Sequence, residues 1–303
     1  MTDARNLYRK YLDPRVISRL SSLDLRARMV VEGFMAGLHK SPYHGFSVEF
    51  SEHRQYMPGD DFKYIDWKVY GKTDRFYVKQ FEEETNLKAY LLLDCSASMG
   101  FKSGEVSKFQ YAEYLAAALT YLMLRQRDAV GLVTFAEKIR RLLPARSVST
   151  YLPRILSELD RTETAGTTRI APMLHEIAER IKRRSLIILF SDLFDDDIDA
   201  VIQGLKHFRH RKHEMLVFHI LDPAEVDFDF KDDAVFQDME TGAKLSTNPI
   251  HIQREYRKLM QEFVTRLRRA CREHLIDYVP FSTRQPFDLA LSQYLRKRKK
   301  LGG

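Results

Sequence analysis

Ala89-Tyr90-Leu91-Leu92-Leu93-Asp94-Cys95-Ser96-Ala97-Ser98-Met99-Gly100 is the stretch on which the fold turns. Its first five residues are nearly all apolar, as a strand covered on both faces should be. The polar loop that follows leads into a segment with helical spacing at Leu115, Ala118 and Leu122. The same alternation continues downstream. Apolar runs at residues 130–135, 186–190 and 215–220 are separated by stripes that recur every three or four positions. These stripes are Leu152, Ile155, Leu156 and Leu159; Ile170, Met173, Leu174, Ile177 and Ile181; and Ile198, Val201, Ile202 and Leu205. Strand and helix patterns in alternation predict an α/β class, with a mostly parallel central sheet and helices on both faces.

Beyond the last of these units, Thr241-Gly242 marks the turn of a small hairpin. A long helix carrying Tyr256, Leu259, Phe263, Leu267 and Cys271 comes next, and residues 278–281 suit a final strand. Upstream the character changes. Residues 16–38 read as one helix, and an aromatic, turn-rich segment around Pro58-Gly59-Asp60 contains strand-like runs at 46–50 and 75–81. The expected organisation is therefore a helix and small β-containing module over 1–86, then the α/β domain with a helical extension over 87–303.

Composition sets the class. The 303 residues are 44% hydrophobic, enough for a sizeable core, and the net charge of +7 is a small excess over nearly balanced signs. Two cysteines, Cys95 and Cys271, are too few for a disulfide framework and match no metal spacing, which suits a reducing compartment. No apolar run nears the roughly 18 residues needed to span a bilayer, and no secretory leader core opens the sequence. A cytoplasmic protein without direct membrane insertion is expected.

The loop after residue 93 carries the chemistry. Ligands of open α/β sheets bind outside the carboxyl ends of the strands, where this loop falls. Hard cations such as Mg²⁺ take oxygen ligands, and alternate loop residues can aim the Asp94 carboxylate and the Ser96 and Ser98 hydroxyls at one point. The alternative is that both serines cap turns or the next helix while Asp94 accepts backbone bonds. Two further loops fall at the same sheet edge: Gly166-Thr167-Thr168 before the helix at Ile170, and Ser191-Asp192 after the strand at 186–190.

Together these loops resemble the metal-ion-dependent adhesion site of von Willebrand factor A domains, whose pattern is Asp-x-Ser-x-Ser, a later Thr and a later Asp. That resemblance implies a von Willebrand factor A-like fold and five ligands to Mg²⁺, or to Mn²⁺ or Ca²⁺: Asp94, Ser96, Ser98, Thr168 and Asp192. Thr167 competes with Thr168, which is preferred because Thr168-Arg169-Ile170 aligns with the family's Thr-x-Ile. Three more motifs precede the metal loop: Arg54-Gln55-Tyr56-Met57-Pro58-Gly59-Asp60-Asp61, Ile65-Asp66-Trp67, and Lys79-Gln80-Phe81-Glu82-Glu83-Glu84-Thr85-Asn86. They resemble the signature of the bacterial domain-of-unknown-function family 58, over roughly residues 37–190. Read as residues, the turn, Asp61 and Asp66 suit a structural role beside Arg54, Lys63 or Arg75, and Trp67 suits a core anchor.

The resemblance implies a non-enzymatic interaction module in which an open position on the ion accepts an acidic side chain from a protein partner. It further implies an adaptor for a MoxR-type AAA+ ATPase in assembly or activation of other proteins. Specificity would come from Met99, Phe101 and Phe194 around the ion. No small-molecule substrate is expected. The chain has no Gly-x-Ser-x-Gly elbow, Walker loop or Rossmann glycine fingerprint, and a phosphoaspartate mechanism would want a carboxylate where Ser96 stands. Two rivals remain: nucleic-acid binding through Arg296, Lys297, Arg298, Lys299 and Lys300, and metal-dependent hydrolysis. His207, His210 and His213 sit at spacings that drift around a helix and suit its C-terminal dipole better than zinc. Asp195, Asp196, Asp197 and Asp199 suit the opening of the following helix.

Overall fold

A computed structural model describes residues 13–39, 53–55, 70–71, 74–79, 87–167, 169–230 and 234–301. The strands are β1 (His53–Gln55), β2 (Tyr77–Lys79), β3 (Lys88–Asp94), β4 (Ala129–Phe135), β5 (Ile139–Arg146), β6 (Leu186–Ser191), β7 (Glu214–Leu221), β8 (Ala234–Gln237), β9 (Lys244–Thr247) and β10 (Asp277–Ser282). The helices are α1 (Pro14–Ser18), α2 (Leu23–His39), α3 (Lys108–Arg125), α4 (Leu152–Asp160), α5 (Ile170–Arg180), α6 (Ile198–His210), α7 (Pro223–Asp227), α8 (Pro249–Glu273) and α9 (Asp288–Leu301).

Six strands form the central sheet in the order β10-β7-β6-β3-β4-β5, all parallel except β5, which pairs antiparallel with β4. The expected α/β class, mostly parallel sheet and helices on both faces are all present. Side chains alternate across β3: Leu91 and Leu93 face the core shared with α2, α3, α4 and α9, while Leu92 faces the core shared with α5, α6 and α8. The strand order reverses around β3, so its carboxyl end opens into the crevice where such sheets hold ligands.

Three expectations need correction. The helix expected over 16–38 is two helices. Asp13 caps α1, and the break at 19–22 is held by Ser22 Oγ, which accepts the Leu25 N–H at 3.2 Å, and by Arg26, whose Nη2 donates to the Leu20 carbonyl at 2.8 Å. Strand β5 was not anticipated: it is a half-exposed edge strand carrying Arg140, Arg141, Pro144 and Arg146, and so lacks an apolar run. In α8 the buried stripe runs through Met260, Leu267 and Cys271, while Leu259 is 56% exposed. The strand expected over 75–81 is seen as β2, paired antiparallel with β1, whereas that at 46–50 lies outside the described residues. The Thr241-Gly242 hairpin is observed as β8 and β9, with Gly242 at φ +74.

Helices α1 and α2 do not stand apart from the sheet. Ile17, Leu23, Ala27, Val30, Val31 and Phe34 lie in the same buried cluster as Leu91, Leu115 and Leu291. Close packing also fixes Gly131 in β4, where an added Cβ would stand 2.6 Å from the Tyr90 ring and 2.8 Å from the Leu143 carbonyl oxygen. Gly131→Ala is therefore expected to cost about 2 kcal/mol through overpacking. Urea denaturation would show it as a lowered midpoint at unchanged slope; an unmoved midpoint would mean that Tyr90 yields freely.

Candidate functional site

Asp94 is the last residue of β3 and is fully buried. Two crossings secure the loop after it. The Cys95 N–H donates to the Phe135 carbonyl at 2.8 Å, and the Ala97 N–H donates to the Gly166 carbonyl at 3.1 Å. Gly166 adopts φ +76, a left-handed conformation that glycine reaches without strain. Arg140 braces the same loop, donating to the Glu163 carbonyl at 2.7 Å and the Ala165 carbonyl at 2.5 Å. The loop preceding α5 is thus brought beside the Asp94 loop, and Thr167 within it is half-buried. Thr168, the residue preferred as a ligand, lies outside the described residues.

The oxygens converge closely. Asp94 Oδ1 accepts the Ser96 N–H at 3.0 Å and the Ser96 hydroxyl at 2.8 Å, and Ser96 Oγ lies 3.1 Å from Ser98 Oγ. Asp94 Oδ2 accepts the Ser191 hydroxyl at 2.6 Å. Burial pushes the Asp94 carboxyl up to about 7, and the neighbouring charge of Asp192 pushes the same way, against the hydrogen bonds from Ser191 and Ser96. Among the described residues Asp94 has no ion pair.

Asp192 is also fully buried, but its charge is met. Lys108 Nζ donates to its Oδ2 at 2.7 Å and to Glu225 Oε1 at 2.5 Å, and the Phe194 N–H donates to its Oδ1 at 3.2 Å. Burial alone would depress the Lys108 ammonium, yet the two carboxylates carry it above its ordinary value. The His219 imidazole, driven down to about 4 by burial, is neutral near pH 7. A carbonyl can only accept, so His219 Nε2–H donates to the Asp192 carbonyl at 2.7 Å, and Nδ1 accepts from the Tyr278 hydroxyl. Leu193, next in the chain, takes φ +55, a strained conformation for a branched residue.

The sequence-predicted Asp94, Ser96 and Ser98 are therefore brought together, and Asp192 adjoins them. Lys108, Ser191, His219 and Glu225 were not anticipated. Only Ser191 carried a signal, as the hydroxyl next to Asp192 at a strand end. Above the site is a cleft of about 500 Å³ bordered by Ser98, Phe101, Phe194, Glu225, Met239 and Phe263. Phe101 and Phe194 line it as expected. Met99 does not, being the fully buried middle residue of the 3-10 turn Ser98–Gly100. Asp195 and Asp197 act locally, Asp195 accepting the Ile170 N–H at 3.2 Å and Asp197 capping α6. Of the three histidines, His207 contacts Glu179 and His175, and His213 is buried against Ser185 and Ile181, so they do not share a site.

A family model described as "Protein of unknown function DUF58" matches residues 52–270. The uncharacterized protein Rv1480 of Mycobacterium tuberculosis is 26% identical over 235 residues, covering 76% of this chain and 73% of its own, and the Mycobacterium bovis protein Mb1516 matches equally. Among solved structures, the conserved hypothetical protein BatB from Bacteroides thetaiotaomicron is 16% identical with a TM-score of 0.47, covering 71% of this chain and 99% of that one. The SpRpn10 VWA domain is 13% identical with a TM-score of 0.40, covering 69% and 95%.

Proposed function

The chain belongs to the DUF58 family, and from that premise we propose that it is an ion-dependent protein-interaction module rather than an enzyme. The observation that supports this is Asp94: a wholly buried carboxylate beside a second carboxylate, joined to two serine hydroxyls and lacking an ion pair among the described residues. Such a group is costly unless a cation meets it. No group of three His, Cys, Asp or Glu side chains is placed to hold a metal among the described residues. The donors here are instead carboxylate and hydroxyl oxygens, which suit Mg²⁺, Mn²⁺ or Ca²⁺.

Asp94, Ser96 and Ser98 would hold the ion, with Thr168 and Asp192 completing the set that the resemblance implies. The ion would supply a positive charge able to accept a partner's carboxylate. Asp195, Asp196 and Asp238 border the cleft, so an acidic side chain entering without the ion would be repelled. Binding is therefore ion-dependent in this reading, and the MoxR-type AAA+ ATPase implied by the resemblance is the partner to try first. Its assembly role rests on that resemblance. A hydrolase is disfavoured because His219 is committed to the Asp192 carbonyl and Tyr278, and Asp94, the carboxylate that accepts the Ser96 hydroxyl, is taken by the ion in this reading. Among the described residues no helix is long and apolar enough to cross a membrane. We propose a cytoplasmic location, which two free, buried cysteines suit.

An ion that binds only the folded chain stabilises it by mass action, about 2.7 kcal/mol at a hundredfold excess over Kd. Mg²⁺ or Mn²⁺ should raise the melting temperature of the wild type and leave Asp94→Ala unmoved. Equal shifts in both would place the ion elsewhere. Capture of the ATPase should also be lost with chelator, and in folded Ser96→Ala or Asp192→Ala; capture that persists would rule out an ion-bridged contact.

A further inference from the structure

Lys108 has no part in the ion reading, yet it is the most deliberately placed side chain in the site. Its ammonium has no solvent exposure and lies against both Asp192 and Glu225. Lysine is seldom buried so completely, because its charge is strongly hydrated. Its position is also unfavourable locally, since Lys108 is the first residue of α3 and a helix N-terminus disfavours a cation.

Two capping boxes build the contact. Ser107 and Gln110 set the first turn of α3, and Asp222 and Glu225 set the first turn of α7. Glu225 Oε2 accepts the Asp222 N–H at 3.0 Å, leaving Oε1 for the ammonium. The Phe194 and Phe101 rings stand 5.0 and 5.9 Å from Lys108 Nζ and wall it in. The ammonium cannot leave without stranding two carboxylates.

Asp94, Asp192 and Glu225 are three carboxylates served by the single ammonium of Lys108, an excess of negative charge that a divalent ion would meet. We propose that Lys108 is a tethered counter-cation of the site, which holds Asp192 and Glu225 in place when the ion is absent and weakens the ion's binding when it is present. This rests on the ion reading above. It makes the site one that exchanges its ion rather than one that keeps it, because Asp192 is never without a positive partner. Exchange would let partner binding follow the concentration of free ion.

The test uses the full chain, stripped with chelator, titrated with Mn²⁺ by calorimetry and melted with and without Mn²⁺. Lys108→Met keeps the apolar stem and removes the charge. It should bind Mn²⁺ at least about tenfold more tightly, since the like charge paired with Asp192, one of the ion's ligands, is gone, and melt lower in chelator but recover with Mn²⁺. Glu225→Gln removes a carboxylate from the same ammonium and should bind Mn²⁺ several-fold more weakly. Opposite directions are the signature of charge; a lysine that merely packs would weaken binding in both variants. Should Lys108→Met fail to fold, Lys108→Gln, which removes the charge but can still donate to a carboxylate, is held to the same expectation of tighter Mn²⁺ binding. Unchanged or weaker Mn²⁺ binding in Lys108→Met, or tighter binding in Glu225→Gln, overturns the proposal while leaving the ion reading intact. Absence of Mn²⁺ binding in the wild type and both variants removes the ion reading and this proposal with it.

Discussion

Asp128→Ala is expected to lower the unfolding free energy by about 3 kcal/mol, the lower end of what removing one partner of a buried ion pair costs. Asp128 is fully buried in the turn between α3 and β4. It accepts Arg298 Nε at 2.7 Å, Arg298 Nη2 at 3.4 Å and the Tyr294 hydroxyl at 3.0 Å. Burial pushes its carboxyl up, against the bonds from Arg298 and Tyr294. The lower figure applies because the Arg298 side chain is 28% exposed and partly resolvated once its partner is gone. Chemical denaturation measures the effect, and a loss under about 0.5 kcal/mol, the range of ordinary surface substitutions, would show the pair to be dispensable. The same cluster bears on nucleic acid. Lys297 is buried between Glu214 at 2.8 Å and Asp277 at 3.0 Å, so Lys297 and Arg298, the second and third residues of the basic run, are both held in ion pairs. Only Arg296, Lys299 and Lys300 remain exposed, a thin basis for phosphate binding.

Glu113→Gln is expected to stabilise the chain at pH 8 by about 3 kcal/mol and to leave it nearly unchanged at pH 5. Glu113 is 8% exposed on α3, and burial raises its carboxyl to about 7 against the partly compensating charge of Arg26. Unfolded, the group titrates near 4.5, so between that pH and 7 the folded chain holds the extra proton. Its contribution is thus fully present below 4.5 and lost as pH rises through 7. Glutamine does not titrate and escapes that loss. Parallel stability–pH curves for the two proteins would show Glu113 to be well solvated in both states.

The central parallel strands were legible because burial on both faces leaves them nearly all apolar, as in Leu186, Ile187, Ile188, Leu189 and Phe190. Strand β5 carries no such mark: it exposes one side to water and reads as a charged loop. In the site, Asp94, Ser96 and Ser98 were legible because the chain itself sets their spacing. Lys108 meets Asp192 across 84 residues and Glu225 across 117, and nothing local announces either contact. A lysine after a capping serine reads as an ordinary exposed helix start. His219 lies inside an apolar run and betrays its role only through neighbours supplied by β10 and by the turn after β6.

The single core under α2, α3 and α9 has a consequence for how the chain is made. Helix α2 emerges from the ribosome before its partners, with Ala27, Val30, Val31 and Phe34 unshielded, and its neighbour α3 follows only some seventy residues later by number. Phe287 and, in α9, Ala290, Leu291 and Tyr294 complete the same cluster about 250 residues after α2 by number. A nascent chain therefore carries an open apolar face until α9 is made, and closure waits on contacts between residues far apart in sequence, which are slow to form. Slowing elongation gives α2 and α3 longer to pair but does nothing for the missing α9. Nascent-chain aggregation should accordingly track the time for which α9 is still unmade.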